Sequence, residues 1–156
     1  AMVFEGGIRV PFAIKWPGVI KPGTVSDVPM ITNDFFPTLA EIIGGVSDDE
    51  EIDGISLVPV LRGEEFIERD ALFWHFPHYH GSLWKPGSAI RSGDWKLVFH
   101  YESNNAELYN LKEDPGELND LSLLFEERKQ ILLKKLNNLK NETNANKVSI
   151  NPNFKN

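Results

Sequence analysis

The stretch SAIRSGDWKLVFHYES, residues 88–103, limits the fold most strongly. Ser88–Arg91 reads as one strand and Trp95–Tyr101 as the next. Ser92-Gly93-Asp94 between them is turn chemistry, which makes the pair an antiparallel hairpin. AELYNL, after the Asn104-Asn105 turn, adds a further short strand, and Ala71–Phe76 supplies one upstream. A row of strands joined by short turns requires an antiparallel sheet with one face to cover. LLFEERKQILLKKLNNLK, residues 123–140, is the clearest helix and the natural cover. Its expected apolar face is Leu124, Ile131, Leu132 and Leu139, with Lys135 alongside. Glu126 and Glu127 come early and Lys134, Lys135 and Lys140 late, which suits the helix dipole. The expected fold class is therefore α+β, with a small sheet of about four strands packed by a C-terminal helix.

The first part of the chain is harder to close. IRVPFAIKW, residues 8–16, alternates like a strand, with Pro11 marking an edge or bulge. TNDFFPTLAEIIGG reads as a helix from about Asp34 to Ile43. Asp34 or Thr32 would cap it and Gly44-Gly45 would stop it. Phe36, Leu39, Ala40 and Ile43 would form its apolar face. ISLVPVLRG is a short apolar turn or helix carrying Pro59. One strand cannot form a sheet, so residues 8–16 need ladder partners from elsewhere. An orphan strand is a template for self-association. The Asn-rich segment 141–156 is expected to be an extended surface tail.

Composition excludes several functions. The chain has 156 residues, 41% hydrophobic and 25% charged, with a formal net charge of -7. Its cations form no block, which argues against a nucleic-acid partner. It has no cysteine, so thiolate metal sites and a Cys nucleophile are absent from this sequence. No run of about 18 apolar residues is present to cross a membrane. AMVFEGG lacks the basic and apolar regions of a signal peptide. The acids Asp48, Asp49, Glu50 and Glu51 lack calcium-loop spacing and read as a solvated loop.

The chemistry-bearing stretch is ALFWHFPHYHG, residues 71–81, which holds three of the four histidines. His75, His78 and His80 could serve a metal, a general base, a binding rim or plain aromatic packing. On a strand His78 and His80 point one way and His75 the other, unless Pro77 breaks the strand. A metal would need a converging third or fourth ligand, and nothing fixes His100 in that role. A catalytic base needs a nucleophile, and Ser82 and Ser88 sit in turn-like contexts with no Gly-x-Ser-x-Gly. A binding rim fits the mix of rings and imidazoles, continued by Trp84 and Lys85 on a Gly/Pro loop.

Five blocks, in order, resemble the C-terminal third of type I sulfatases: FEGGIRVPFAIKWPGVIKPGTVSD, TNDFFPTLAEIIGG, DGISLVPVLRG, SAIRSGDWKLVFHYES and AELYNLKEDPGELNDLS. The resemblance implies that residues 1–65 are the last strand and helix of a large α/β domain. It implies that residues 66–156 are the smaller C-terminal subdomain. Val98, Leu97, Leu108, Leu111, Leu124 and Leu132 would then be core members. It also implies a sulfuric ester hydrolase acting on a sulfated carbohydrate or aryl sulfate, in a periplasmic or extracellular setting. The family's formylglycine comes from a Cys/Ser-x-Pro-x-Arg motif, and its calcium is held by Asp and Asn residues. This chain has no such motif, so no catalytic or metal residue carries over. What remains is a rim contribution from His78, His80 and His75. The alternative is a stand-alone binding or oligomerisation module using the loop 75–85.

Overall fold

The structure, a computed structural model, describes residues 3–45, 52–81 and 83–149. The acidic run Asp48–Glu51, Ser82 and the end of the Asn-rich tail lie outside the described residues. The chain divides into two compact units, residues 1–11 with 70–156, and residues 12–69.

The larger unit is a four-stranded antiparallel meander. Strands β1 (Leu72–Phe76), β2 (Gly87–Ser92), β3 (Trp95–His100) and β4 (Asn105–Asn110) lie in chain order. The expected hairpin is present, with Ala89 opposite Val98 and Ile90 opposite Leu97. Alternation sends Ile90, Leu97, Ala106 and Leu108 to one face. There they bury against Leu132 and Leu136 of the long helix, Glu126–Glu142. The opposite face carries Ala89, Val98 and Tyr109 against Val3, Trp84 and Leu111. The sheet is thus covered on both faces, one by a helix and the other by chain segments.

The long helix presents a different face from the expected one. Leu132 and Leu136 are buried, whereas Leu124 is 76% and Ile131 60% exposed. Leu124 precedes the helix, which starts at Glu126, so it has no place in the stripe. Lys135 reaches sideways to the Asp70 carboxylate and to the Ser92 hydroxyl.

Asp120 ties the open edge of β4 to the chain leading into this helix. Its Oδ1 accepts from the Leu108 N–H at 3.0 Å and the Ser122 N–H at 2.8 Å. Its Oδ2 accepts from the Ser122 hydroxyl at 3.0 Å. Burial alone would raise the carboxyl, but these donors, aided by Lys129, hold it below the usual carboxylate value. The folded pKa is depressed, so the stabilisation is present above the unfolded pKa and lost as pH falls through the folded one. Asp120→Ala is expected to cost about 1–3 kcal/mol at neutral pH, read by urea unfolding. The gap between variant and wild type should narrow as the solution is acidified.

The smaller unit is organised by Asp34, which is fully buried. Its carboxylate accepts from the Ile31 N–H at 2.8 Å, the Ile55 N–H at 3.1 Å and Arg69 at 2.6 Å. Asp34 closes a short 3₁₀ turn, Thr32–Asp34, and the helix Phe35–Ile43 follows. It therefore stands at the N-cap position without bonding the helix N–H groups; its carboxylate serves the flanking chain. Gly44 is left-handed at φ 73, and the Gly45 N–H bonds the Ala40 carbonyl at 2.9 Å, as the sequence predicts for the stop. Pro59 sits in the first turn of a second short helix, Val58–Leu61. The apolar face of Phe35–Ile43 is mostly bare: Phe36 is 58%, Leu39 60% and Ile43 80% exposed, and only Ala40 of the expected four is buried.

Residues 8–16, expected as a strand, are not one. Glu5–Ile8 forms a helical turn, and the chain then runs on without a regular element to Trp16. A strand exists only through ladder bonds, and among the described residues none offers them here. Val10 is 73%, Phe12 49% and Ile14 43% exposed.

Candidate functional site

The candidate site is the β1–β2 connection. His75 belongs to β1 and faces the helix side of the sheet with Phe73, their rings stacked at 6.2 Å. Pro77 ends the strand, as the sequence indicates. His78 and His80 lie beyond it and flank Phe76 on the other face, with ring separations of 5.6 and 6.3 Å. The structure therefore separates His75 from His78 and His80.

His75 is occupied within its own chain. Its Nε2 lies 2.8 Å from the Asn146 carbonyl oxygen, which can only accept, so Nε2 carries the proton. Its Nδ1 then accepts from the Ser88 hydroxyl at 2.6 Å, with Tyr101 Oη 3.1 Å away. Ser88 and Tyr101 also bond each other at 2.6 Å. Ser88, at the start of the expected strand, is fully buried and directly opposite His75. Its burial suits it to orient His75, and leaves its hydroxyl out of reach of a substrate. The network fastens the chain after the long helix to the sheet.

The loop that follows is pinned at both ends. His80 and Trp84 form a bridge, with the His80 N–H on the Trp84 carbonyl at 3.1 Å. Trp84 is only 4% exposed, so it is core and cannot serve as a stacking platform. Its indole explains Gly87: a Cβ there would meet Trp84 Cζ2 at 2.7 Å and the Phe99 carbonyl oxygen at 2.8 Å. Leu83, by contrast, is 94% exposed and left-handed at φ 64.

At the surface, Glu102 gathers Tyr79 and Lys85. The Tyr79 hydroxyl donates to it, and Lys85 Nζ lies 2.7 Å away. Lys85, then Tyr79, hold the Glu102 carboxyl below its ordinary value, and Glu102 holds Lys85 above its own. An anion approaching Lys85 therefore competes with Glu102, whereas the exposed His78 ring offers an N–H donor. His100 bonds Glu107 at 3.1 Å and packs on Trp84, with ring centroids 5.8 Å apart. No group of three or more His, Cys, Asp or Glu is placed to hold a metal ion among the described residues.

Residues 1–146 match the family described as N-sulphoglucosamine sulphohydrolase, C-terminal. This chain belongs to that sulfatase family. A sulfatase of Formosa agariphila is 43% identical over 129 residues, 76% of this chain and 23% of that protein. N-acetylglucosamine-6-O-sulfatase of Bacteroides thetaiotaomicron is 33% identical over 124 residues, 76% of this chain and 22% of that protein. The solved structure of a sulfatase-family neighbour, in complex with its substrate D-glucosamine-2-N,6-O-disulfate, superposes with a TM-score of 0.68 at 29% identity. That match covers 85% of this chain and 28% of the neighbour. This sulfatase chain thus spans about a quarter of the length of these relatives. The four-stranded antiparallel sheet with its helix matches the C-terminal domain of these sulfatases.

Sequence reasoning missed one buried ion-pair cluster, on the sheet face opposite the long helix. Lys96 is fully buried, with Nζ 2.9 Å from Glu5 and 2.7 Å from Glu117. The Glu5 N–H donates to Glu117 at 2.5 Å, and Arg91 lies 3.9 Å from Glu5. A signal was available: Arg91 and Lys96 are direct cross-strand partners on one face. Like charges so placed repel unless acids lie between them.

Proposed function

We propose that this chain is the C-terminal part of a sulfatase that hydrolyses sulfate esters of carbohydrates. Residues 1–65 would be the end of the large α/β domain and residues 66–156 the smaller subdomain. The loop beyond β1, with His78 and His80 at its surface, would form part of the rim of the substrate pocket. His75 would support that rim from the opposite face by holding Ser88, Tyr101 and the chain at Asn146 together. The observation that carries the reading is the family match over residues 1–146. The bare apolar face of Phe35–Ile43 supports it, because a helix with Phe36, Leu39 and Ile43 exposed suits burial against further protein. So does the substrate of the structural neighbour, a glucosamine disulfate.

The formylglycine and calcium of the family do not fit the residues present. There is no Cys/Ser-x-Pro-x-Arg stretch, and the described residues hold no group of three or more His, Cys, Asp or Glu placed for a metal ion. No chemical step is assigned to this chain, and on its own it should not turn over sulfate esters. Incubating the purified 156-residue chain with an aryl sulfate should release no product above background. Titrating the same chain with glucosamine 6-sulfate should move the His78 and His80 imidazole NMR signals and leave His75 nearly still. Aryl sulfate turnover would falsify the view that the nucleophile lies elsewhere. Unmoved His78 and His80 signals would remove the rim assignment.

A further inference from the structure

A second surface feature lies on the sheet's helix-covered side, at the turn whose Glu102 holds Tyr79 and Lys85. An open groove of about 530 Å³ runs between the long helix and the turn joining β3 to β4. Phe99 and Leu133 form its apolar floor, and Asn104, Lys134, Asn137 and Asn138 line it. The groove is open to solvent, so a ligand there rests on one face and is not enclosed.

The groove is built from firm parts. Lys134, Asn137 and Asn138 stand at i, i+3 and i+4 on a helix, so they share one face. Asn104 is held left-handed at φ 51 within the hairpin turn, a conformation Asn tolerates. Phe99 is a strand residue half-buried against the helix. Among the described residues, the carboxamides of Asn104 and Asn138 make no hydrogen bond and Lys134 has no carboxylate partner. Asn137 Oδ1 accepts only a long contact from Lys140, 3.4 Å.

Each carboxamide offers two donors and one acceptor, the pattern that pairs with neighbouring hydroxyls on a sugar ring. A half-buried Phe ring gives the apolar face of such a ring a surface to lie on. One ammonium, with no second cation lining the groove, matches a single anionic substituent and not a polyanion. We infer that this groove is a second carbohydrate site, taking a sugar ring that bears one sulfate or carboxylate, separate from the His78 loop. It does not depend on the rim assignment.

The test is an NMR titration of the full chain with glucosamine 6-sulfate, following backbone amides and Asn side-chain NH₂ signals, with N-acetylglucosamine in parallel. The Asn104, Asn137 and Asn138 side-chain signals should shift with saturation. Asn138→Ala should weaken binding about threefold to tenfold, as expected for loss of one polar partner. Lys134→Met should weaken the sulfated sugar by a similar factor and leave the neutral one unchanged. All of these positions are exposed, and a well-dispersed amide spectrum confirms that the variants fold. Shifts confined to residues 78–85 would overturn the groove while sustaining the rim. Groove shifts indifferent to both substitutions would overturn it as well, and so would no shift at all.

Discussion

Lys96→Ala should lower the unfolding free energy of the sheet unit by about 3–5 kcal/mol, the usual cost of leaving a buried charge without its partner. Lys96 is 0% exposed, and it sits between Glu5 and Glu117, which are themselves nearly dry. With Arg91 beside Glu5, two cations face two carboxylates and the cluster is balanced. Removing the ammonium leaves two buried carboxylates with only Arg91 near them, at 3.9 Å from Glu5. The Lys96–Glu117 contact is close but lacks hydrogen-bond alignment, so much of its value is charge neutralisation. Glu117 is moreover held left-handed at φ 54, a conformation that costs a non-glycine residue about 1–3 kcal/mol and that its bond from the Glu5 N–H helps to fix. Urea unfolding followed by tryptophan fluorescence reads the effect. The triple variant Lys96→Met, Glu5→Gln, Glu117→Gln should lose less than the single one, because no charge is then stranded. A single-variant loss below about 1 kcal/mol would mean that water reaches the cluster.

That cluster marks the limit of what the sequence could disclose. The hairpin at residues 88–103 was legible because its signals are local: alternation on both sides of Ser92-Gly93-Asp94. The break at Pro77 was local too, but the side taken by His78 and His80 beyond it was not, because alternation fixes a face only while the strand continues. The Lys96 cluster joins residues 91 positions apart across the fold, and no window of sequence holds both ends. Residues 8–16 failed as a strand for a related reason. Their alternation is real, but a strand is completed by a neighbour, and the described chain offers none. Trp84 looked like a binding aromatic on a polar loop, yet the loop folds back and buries it beside Gly87. Exposed and buried aromatics carry the same letters, and only the path of the backbone separates them.

Leu136→Ala should cost about 2–5 kcal/mol, and Leu124→Ala should change stability by no more than about 0.5 kcal/mol. Both residues sit in the same leucine-rich stretch, where helical spacing and the family resemblance both point to Leu124 and neither to Leu136. The structure reverses the ranking. Leu136 is 1% exposed and packs in the cluster with Ile90, Leu97 and Leu108, while Leu124 is 76% exposed ahead of the helix. Truncating Leu136 opens a cavity between helix and sheet. The sheet cannot close over it, because its other face is already held by Val3, Trp84 and Tyr109. The loss should therefore sit toward the upper part of the range. Thermal and urea unfolding of the two variants, side by side, measure it. Equal losses would mean that the helix docks one turn out of the register described, which would also shift Lys134 and Asn138 away from Phe99 and close the groove argument with it.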